Sequence, residues 1–85
     1  MKLGHYAKGK EYLETALETA NKIGERHGEG TYYGNLGVLF HSLNDYVRAQ
    51  ECFEKALKIA NLIGDRAGQA ICQVNLGRNR VTFFR

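Results

Sequence analysis

The chain has 85 residues, 44% of them hydrophobic and 25% charged, with a formal net charge of +3. This length fits a single domain, and a composition near the globular average excludes wholesale disorder. No apolar run approaches the roughly 20 residues that span a bilayer, and the N-terminus lacks the apolar stretch of a secretory signal. We therefore expect a cytoplasmic protein without a membrane segment.

The first element predicted along the chain is a helix over residues 5–23, the counterpart of a clearer helix 40 residues later. Gly24 follows it and can adopt the left-handed conformation that closes many helices. Gly4 is expected to form a similar left-handed turn ahead of this helix.

A second helix is predicted over residues 28–43. Its apolar and small residues recur at helical spacing, at Tyr33, Leu36, Gly37, Phe40 and Leu43. A glycine inside a helix costs about 1 kcal/mol relative to alanine, so Gly37 indicates close packing by a neighbouring helix. The recurrence of this glycine at Gly77 supports the same interpretation. Asn44 tolerates the left-handed turn expected after this helix.

The third helix, predicted over residues 45–63, has the clearest amphipathic pattern. Its buried face is expected to hold Tyr46, Ala49, Phe53, Ala56, Leu57, Ala60 and Ile63. Asp45 is a suitable N-cap, because a short side-chain oxygen can accept a hydrogen bond from the first free backbone amides. Gly64 is expected to end the helix in a left-handed conformation.

The fourth helix is predicted over residues 67–83, and this end of the chain is basic. Residues 1–65 hold eight Lys/Arg and nine Asp/Glu, whereas the remainder holds four arginines and no acidic residue: Arg66, Arg78, Arg80 and Arg85. Such an end can attract an acidic partner. Four arginines are too few to indicate nucleic acid binding by themselves.

The sequence repeats with a period of 40 residues. Shifting it by this period aligns 45 residue pairs, of which 15 are identical. The match is visible in IGERHGEG and IGDRAGQA, and again in GNLG and VNLG. Short turns favour antiparallel neighbours, and no half of this repeat can bury its apolar stripe alone. We therefore predict an all-α solenoid of antiparallel helical hairpins with about four helices.

These residues resemble the tetratricopeptide repeat. The family pattern of aromatic, Leu-Gly, aromatic, Ala, aromatic and Ala reads here as Tyr33, Leu36-Gly37, Phe40, Ala49, Phe53 and Ala56. The 40-residue period exceeds the usual ~34 and is similar to that of Pins-type cell-polarity adaptors and long-array repeat proteins. Asn61 stands where the family often has proline, and Arg80 replaces an aromatic residue.

The resemblance implies a division of the chain into three units. Residues 1–27 would be the second helix of a partial repeat, residues 28–67 a complete repeat, and residues 68–85 the first helix of a further partial repeat. It also implies a protein–protein interaction module that needs no cofactor and is not an enzyme. In the family, the first helices of successive repeats line a concave groove that holds an extended or helical segment of a partner.

The resemblance places candidate partner-binding residues on these first helices. They are Gly34, Asn35, Val38, Ser42, Asn75 and Arg78. An asparagine amide both donates and accepts, so it suits a peptide unit of the ligand. Arg78 follows Asn75 by three residues on the same face and can pair with a carboxylate of an acidic peptide. The alternatives are asparagines bonded to a neighbouring helix or water, and a solvated surface arginine.

Three other functions remain open at this point. The chain can be a structural spacer, or it can self-associate through exposed repeat ends. The segment Arg78-Asn79-Arg80 can contact nucleic acid, although a compact recognition-helix signature is missing. An enzyme is the least favoured, because no spacing indicates a nucleophile–base pair, a metal site or a phosphate loop. Cys52 and Cys72 form no CxxC pattern and are expected to be reduced, buried or half-buried thiols.

Overall fold

The structure, a computed structural model, describes residues 3–84 as four helices. They are α1 (Leu3–Ile23), α2 (Arg26–Ser42), α3 (Tyr46–Ile63) and α4 (Arg66–Phe83). The predicted all-α hairpin array of four helices is therefore confirmed. Arg85, which the sequence counts with the basic end, lies outside the described residues. The limits of the three repeat units stay a prediction.

Carboxylate side chains begin three of the helices. Asp45 Oδ1 accepts a hydrogen bond from the backbone N–H of Arg48 at 3.2 Å, which confirms the predicted N-cap. Asp65 and Glu25 act in the same way on the N–H groups of Gly68 and Gly28. Because of these caps, α2 begins at Arg26 and α4 at Arg66, slightly earlier than the sequence predicts.

Residues with a left-handed backbone conformation follow the first three helices. Gly24 and Gly64 have φ values of 70° and 68°, and Asn44 has 63°, as the sequence predicts. The expectation for Gly4 is wrong, because Gly4 lies inside α1 and needs no positive φ. The helix simply begins two residues earlier than predicted, whereas Asn44 must reverse the chain between two packed helices.

The core lies between α2 and α3. It is formed by Leu36, Phe40, Ala49 and Phe53, none more than 8% exposed. The other side of α3 packs against α4, and α1 packs against α2. Each helix thus contacts its chain neighbours, as in a stacked array.

Gly37 of α2 lies directly against the Phe53 ring of α3. A Cβ atom built on Gly37 would lie 2.5 Å from Cε1 of Phe53, so the predicted close packing is confirmed. At Gly77 the described residues show no such packing, because an added Cβ would meet no atom of another element within 4 Å. The difference arises because α3 covers α2, whereas no described helix covers the corresponding face of α4.

Asn79 is buried, at 2% exposure, although it stands between two exposed arginines. Its Oδ1 lies 2.9 Å from Nδ1 of His41, and its Nδ2 donates to the backbone oxygen of Tyr46 at 3.0 Å. These bonds join the ends of α2 and α4 to the start of α3. Asn79 therefore has a structural role within the hairpin array.

Candidate partner-binding groove

A groove of about 420 Å³ lies between α2 and α4, with the second half of α3 as its floor. Small and apolar side chains form most of its wall. The lining residues are His27, Gly30, Thr31, Gly34, Asn35 and Val38 from α2, Ala56, Ile59, Ala60 and Ile63 from α3, and Asp65, Ala67, Gly68, Ile71, Cys72 and Asn75 from the last hairpin.

Four of the candidate residues meet in this groove. Gly34, Asn35 and Val38 approach it from α2, and Asn75 from α4. Val38 is 49% exposed, Asn35 is exposed, and Asn75 is half-buried. The fold therefore brings together residues that are far apart in the sequence, such as Gly34 and Asn75, which are separated by 41 positions (75 − 34).

The other two candidates, Ser42 and Arg78, lie outside the groove lining. Ser42 Oγ donates to the backbone oxygen of Val38 at 3.1 Å, a bond within its own helix. Arg78 is exposed, about one helical turn beyond Asn75. Both lie past the end of the groove, because the groove extends along the N-terminal parts of α2 and α4.

The amides of Asn35 and Asn75 differ from the structural asparagines of this chain. Within residues 3–84, the asparagine side chains that hydrogen-bond other protein groups are those of Asn21, Asn44 and Asn79. Asn35 and Asn75 are not among them. Two amides with open donors and acceptors therefore face one apolar groove.

Helical spacing could have identified more of the α2 and α4 walls. Thr31 and His27 precede Asn35 by four and eight residues, and Ile71 precedes Asn75 by four. Positions four apart share a helix face. The sequence offered no such signal for the floor residue Ile59. Its apolar side chain predicts burial, but it does not predict that the residue lies in the groove.

The groove carries little charge. Asp65 lies at one end with its Oδ2 3.7 Å from Nε2 of the largely exposed His27, while its Oδ1 caps α4. No lysine or arginine lines the described groove. The arrangement suits an apolar segment better than a highly charged one.

Cys72 contributes a protonated thiol to the groove wall. Burial raises the pKa of this thiol above its ordinary value, and the nearby Asp65 carboxylate raises it further. Burial likewise raises the pKa of Cys52, which lies on α3 outside the groove. Both cysteines are free, as predicted. A raised pKa keeps a thiol un-ionised at neutral pH and therefore a poor nucleophile.

Two further findings concern metal ligands and membrane-spanning helices. No group of three or more His, Cys, Asp or Glu within residues 3–84 is placed to hold a metal ion. None of the four helices, over this same range, is long and apolar enough to cross a membrane.

Arg26 forms a local ion pair at the start of α2. Its Nη1 lies 3.8 Å from Oε1 of Glu29, a carboxylate that is 9% exposed and also accepts from Asn21. The pair lies within one helix, and Arg26 is outside the groove lining.

A comparison with protein families identifies one match. The sequence model described as "Tetratricopeptide repeat" matches residues 1–62, which include α1, α2 and nearly all of α3. Outside the matched residues, α4 is related to α2 by the 40-residue internal repeat. Searches of curated proteins and of solved structures gave no match. The resemblance to Pins-type adaptors stays a prediction.

Proposed function

Because the chain belongs to the tetratricopeptide repeat family, whose members generally act as protein-interaction modules, we propose that its groove binds a segment of a partner protein. The segment lies along the groove between α2 and α4 in an extended or helical form. The preformed helical walls limit the conformational entropy that binding must overcome.

The paired amides of Asn35 and Asn75 carry this proposal. They face one groove from two helices. Within residues 3–84, the asparagine side chains that hydrogen-bond other protein groups are those of Asn21, Asn44 and Asn79, so the Asn35 and Asn75 amides remain open to a ligand. A peptide backbone presents alternating N–H and C=O groups, each of which one amide can bind. Two such amides at repeated positions suit two separate peptide units of one segment.

The walls indicate the chemistry of the partner side chains. Ile59 and Ile71 offer apolar contact beside the amides. At Gly34 an added Cβ would meet no atom within 4 Å, so a ligand backbone has room to approach α2 there. An apolar side chain of the partner enters the groove at this point.

Arg78 extends the proposed site beyond the groove. This exposed cation lies past Asn75, outside the enclosed lining. An acidic residue of the partner, located beyond its apolar portion, pairs with the guanidinium. The proposed ligand is therefore apolar where it enters the groove and acidic at the end near Arg78.

The test is a peptide-display selection on the 85-residue chain, followed by binding measurements on the enriched sequences. The double variant Asn35→Ala/Asn75→Ala should weaken binding by roughly 5-fold or more, as expected for the loss of two hydrogen bonds. Asn61→Ala is the control, because Asn61 is an exposed asparagine on α3 outside the groove lining.

Helical content and urea stability must match among the three proteins. Enriched peptides that bind the double variant as tightly as the parent chain would refute the role of the amides. Absence of any enriched sequence would refute the groove as the functional surface.

A further inference from the structure

The groove between α2 and α4 has one carboxylate in its wall. Asp65 lies where the chain passes from α3 into α4, and its side chain is 28% exposed. The next wall residues on α4, which are Ala67, Gly68 and Ile71, are small or apolar. Because no lysine or arginine lines the described groove, the wall itself supplies no permanent cation to balance this charge.

The two oxygens of Asp65 have different contacts. Oδ1 accepts a hydrogen bond from the backbone N–H of Gly68 at 2.9 Å and so caps α4. Oδ2 lies 3.7 Å from Nε2 of His27, and within residues 3–84 this imidazole is the ion-pair contact of Asp65. Histidine is a cation only when it is protonated. Arg66 follows Asp65 in the chain, but it is exposed and lies outside the groove lining. Oδ2 can therefore accept a ligand cation.

The charge of Asp65 acts inside the groove. Burial is the main cause of the raised pKa of the Cys72 thiol, and the Asp65 carboxylate raises it further. Cys72 belongs to the groove wall and is 6% exposed. Charges beside buried, apolar groups are screened less than charges on an open surface. A cation placed at this end of the groove would therefore be attracted more strongly than one at an exposed carboxylate.

We propose that the partner segment in the groove carries a lysine or arginine whose side chain pairs with Asp65 Oδ2. This inference rests on the proposed function of the groove and specifies the chemistry of its ligand. The apolar portion of the segment contacts Ile59 and Ile71, and its basic residue lies at the start of α4. The imidazole of His27 is 69% exposed, so it can turn into solvent when the basic side chain enters.

The distance between Asp65 and Arg78 sets a spacing for the ligand. These residues are 13 positions apart (78 − 65), which is about 20 Å along α4 at a rise of ~1.5 Å per residue. An extended segment spans this distance with about six residues. A helical segment needs about 13 residues. The basic residue that pairs with Asp65 and the acidic residue that pairs with Arg78 should therefore be separated by one of these two spacings.

The net charge of the chain makes the basic residue a discriminating prediction. The formal net charge is +3, so long-range attraction favours acidic peptides over basic ones. A basic residue at a fixed place in the selected peptides would be enriched against this attraction. Its enrichment therefore requires a local anionic partner.

The first test uses the enriched peptides with both termini blocked, so that only side chains carry charge. Asp65→Asn should weaken their binding by roughly 3- to 10-fold, between the effects of an exposed ion pair and of a hydrogen bond to a charged group. Asparagine caps helices about as well as aspartate, so α4 keeps its start. Asp45→Asn is the matched control, because Asp45 caps α3 in the same way and lies outside the groove lining. It should bind like the parent chain.

The second test changes the peptide and leaves the protein intact. Replacing the basic residue of an enriched peptide by glutamine should weaken its binding to the parent chain by a similar factor. The same replacement should have little effect on binding to Asp65→Asn, because the pair is already broken. Such a double-mutant cycle isolates the interaction between the two groups. It also stays valid if Asp65→Asn lowers the stability of the fold.

The outcomes separate this inference from the proposed function. Peptides that lose binding to Asn35→Ala/Asn75→Ala, but carry no basic residue at a fixed place, would overturn the pairing with Asp65 and leave the groove as the binding surface. Equal binding to Asp65→Asn and Asp45→Asn would overturn it in the same way, and so would additive effects in the cycle. Absence of any enriched peptide would refute the groove itself and this inference with it.

Discussion

Replacing Gly37 by alanine tests the contact between α2 and α3 directly. The added Cβ would lie 2.5 Å from Cε1, 2.6 Å from Cδ1 and 2.9 Å from Cζ of Phe53. That ring is 2% exposed and packs among other core side chains, so it cannot move aside without disturbing them. Overpacking of this kind costs about 1–3 kcal/mol. Alanine also gains about 1 kcal/mol of helix propensity over glycine.

Gly77→Ala is the matched control, because Gly77 has the same place in the next repeat and open space at its Cβ position. The propensity gain is common to both substitutions and cancels in the comparison. We expect Gly77→Ala to stabilise the fold by about 1 kcal/mol. Gly37→Ala should be less stable than Gly77→Ala by about 1–3 kcal/mol.

The assay is urea denaturation followed by circular dichroism, at protein concentrations low enough to keep the chain monomeric. Free energies are compared only if the two variants share one slope with denaturant. Equal free energies of unfolding for the two alanine variants would refute the close approach of Phe53. Gly37→Leu should destabilise more than Gly37→Ala, because its larger side chain meets the same ring.

Two further predictions concern the core and the thiols. Phe53→Ala should lower the free energy of unfolding by about 3–5 kcal/mol, because the ring is almost fully buried. The control is Phe84→Ala, which removes a side chain that is 78% exposed. Equal losses of unfolding free energy in urea denaturation would contradict the burial of Phe53. Burial raises the pKa of Cys52 and Cys72 above the ordinary value of 9.0, so the folded chain keeps its protons while the unfolded chain loses them. The stability that this difference provides is complete below pH 9.0 and is lost as the pH rises through the folded pKa values. Measured between about pH 8 and pH 10, the decline in unfolding free energy should be shallower in Cys52→Ala/Cys72→Ala, and parallel declines would contradict the assignment.

Local signals in the sequence were enough to predict the helices and most of their ends. The third helix followed from apolar spacing, and its ends followed from Asp45 and Gly64, whose roles depend only on adjacent backbone groups. The start of α2 was less accurate because Glu25, a residue not preferred at N-caps, provides the cap. Gly4 was misplaced because a glycine permits a turn without requiring one.

The candidate site was partly predictable. Repeat positions on the first helices indicated Asn35 and Asn75, and both line the groove. Ser42 and Arg78 share the helical face but lie beyond the enclosed part, since the length of a groove depends on where neighbouring helices converge. The contribution of Ile59 to the floor depends on how α3 lies beneath α2 and α4.

The sequence by itself determined the helical elements, their 40-residue repeat and the family, because periodicity and capping act over a few residues and the repeat shows them twice. The tertiary structure decided what each repeated residue contacts. Gly37 and Gly77 occupy the same place in the repeat, yet one lies under Phe53 and the other faces open space. Likewise Asn75 faces the groove while Asn79 is buried in hydrogen bonds. A repeat pattern specifies which face of a helix is apolar, whereas the helix that covers that face is set by packing.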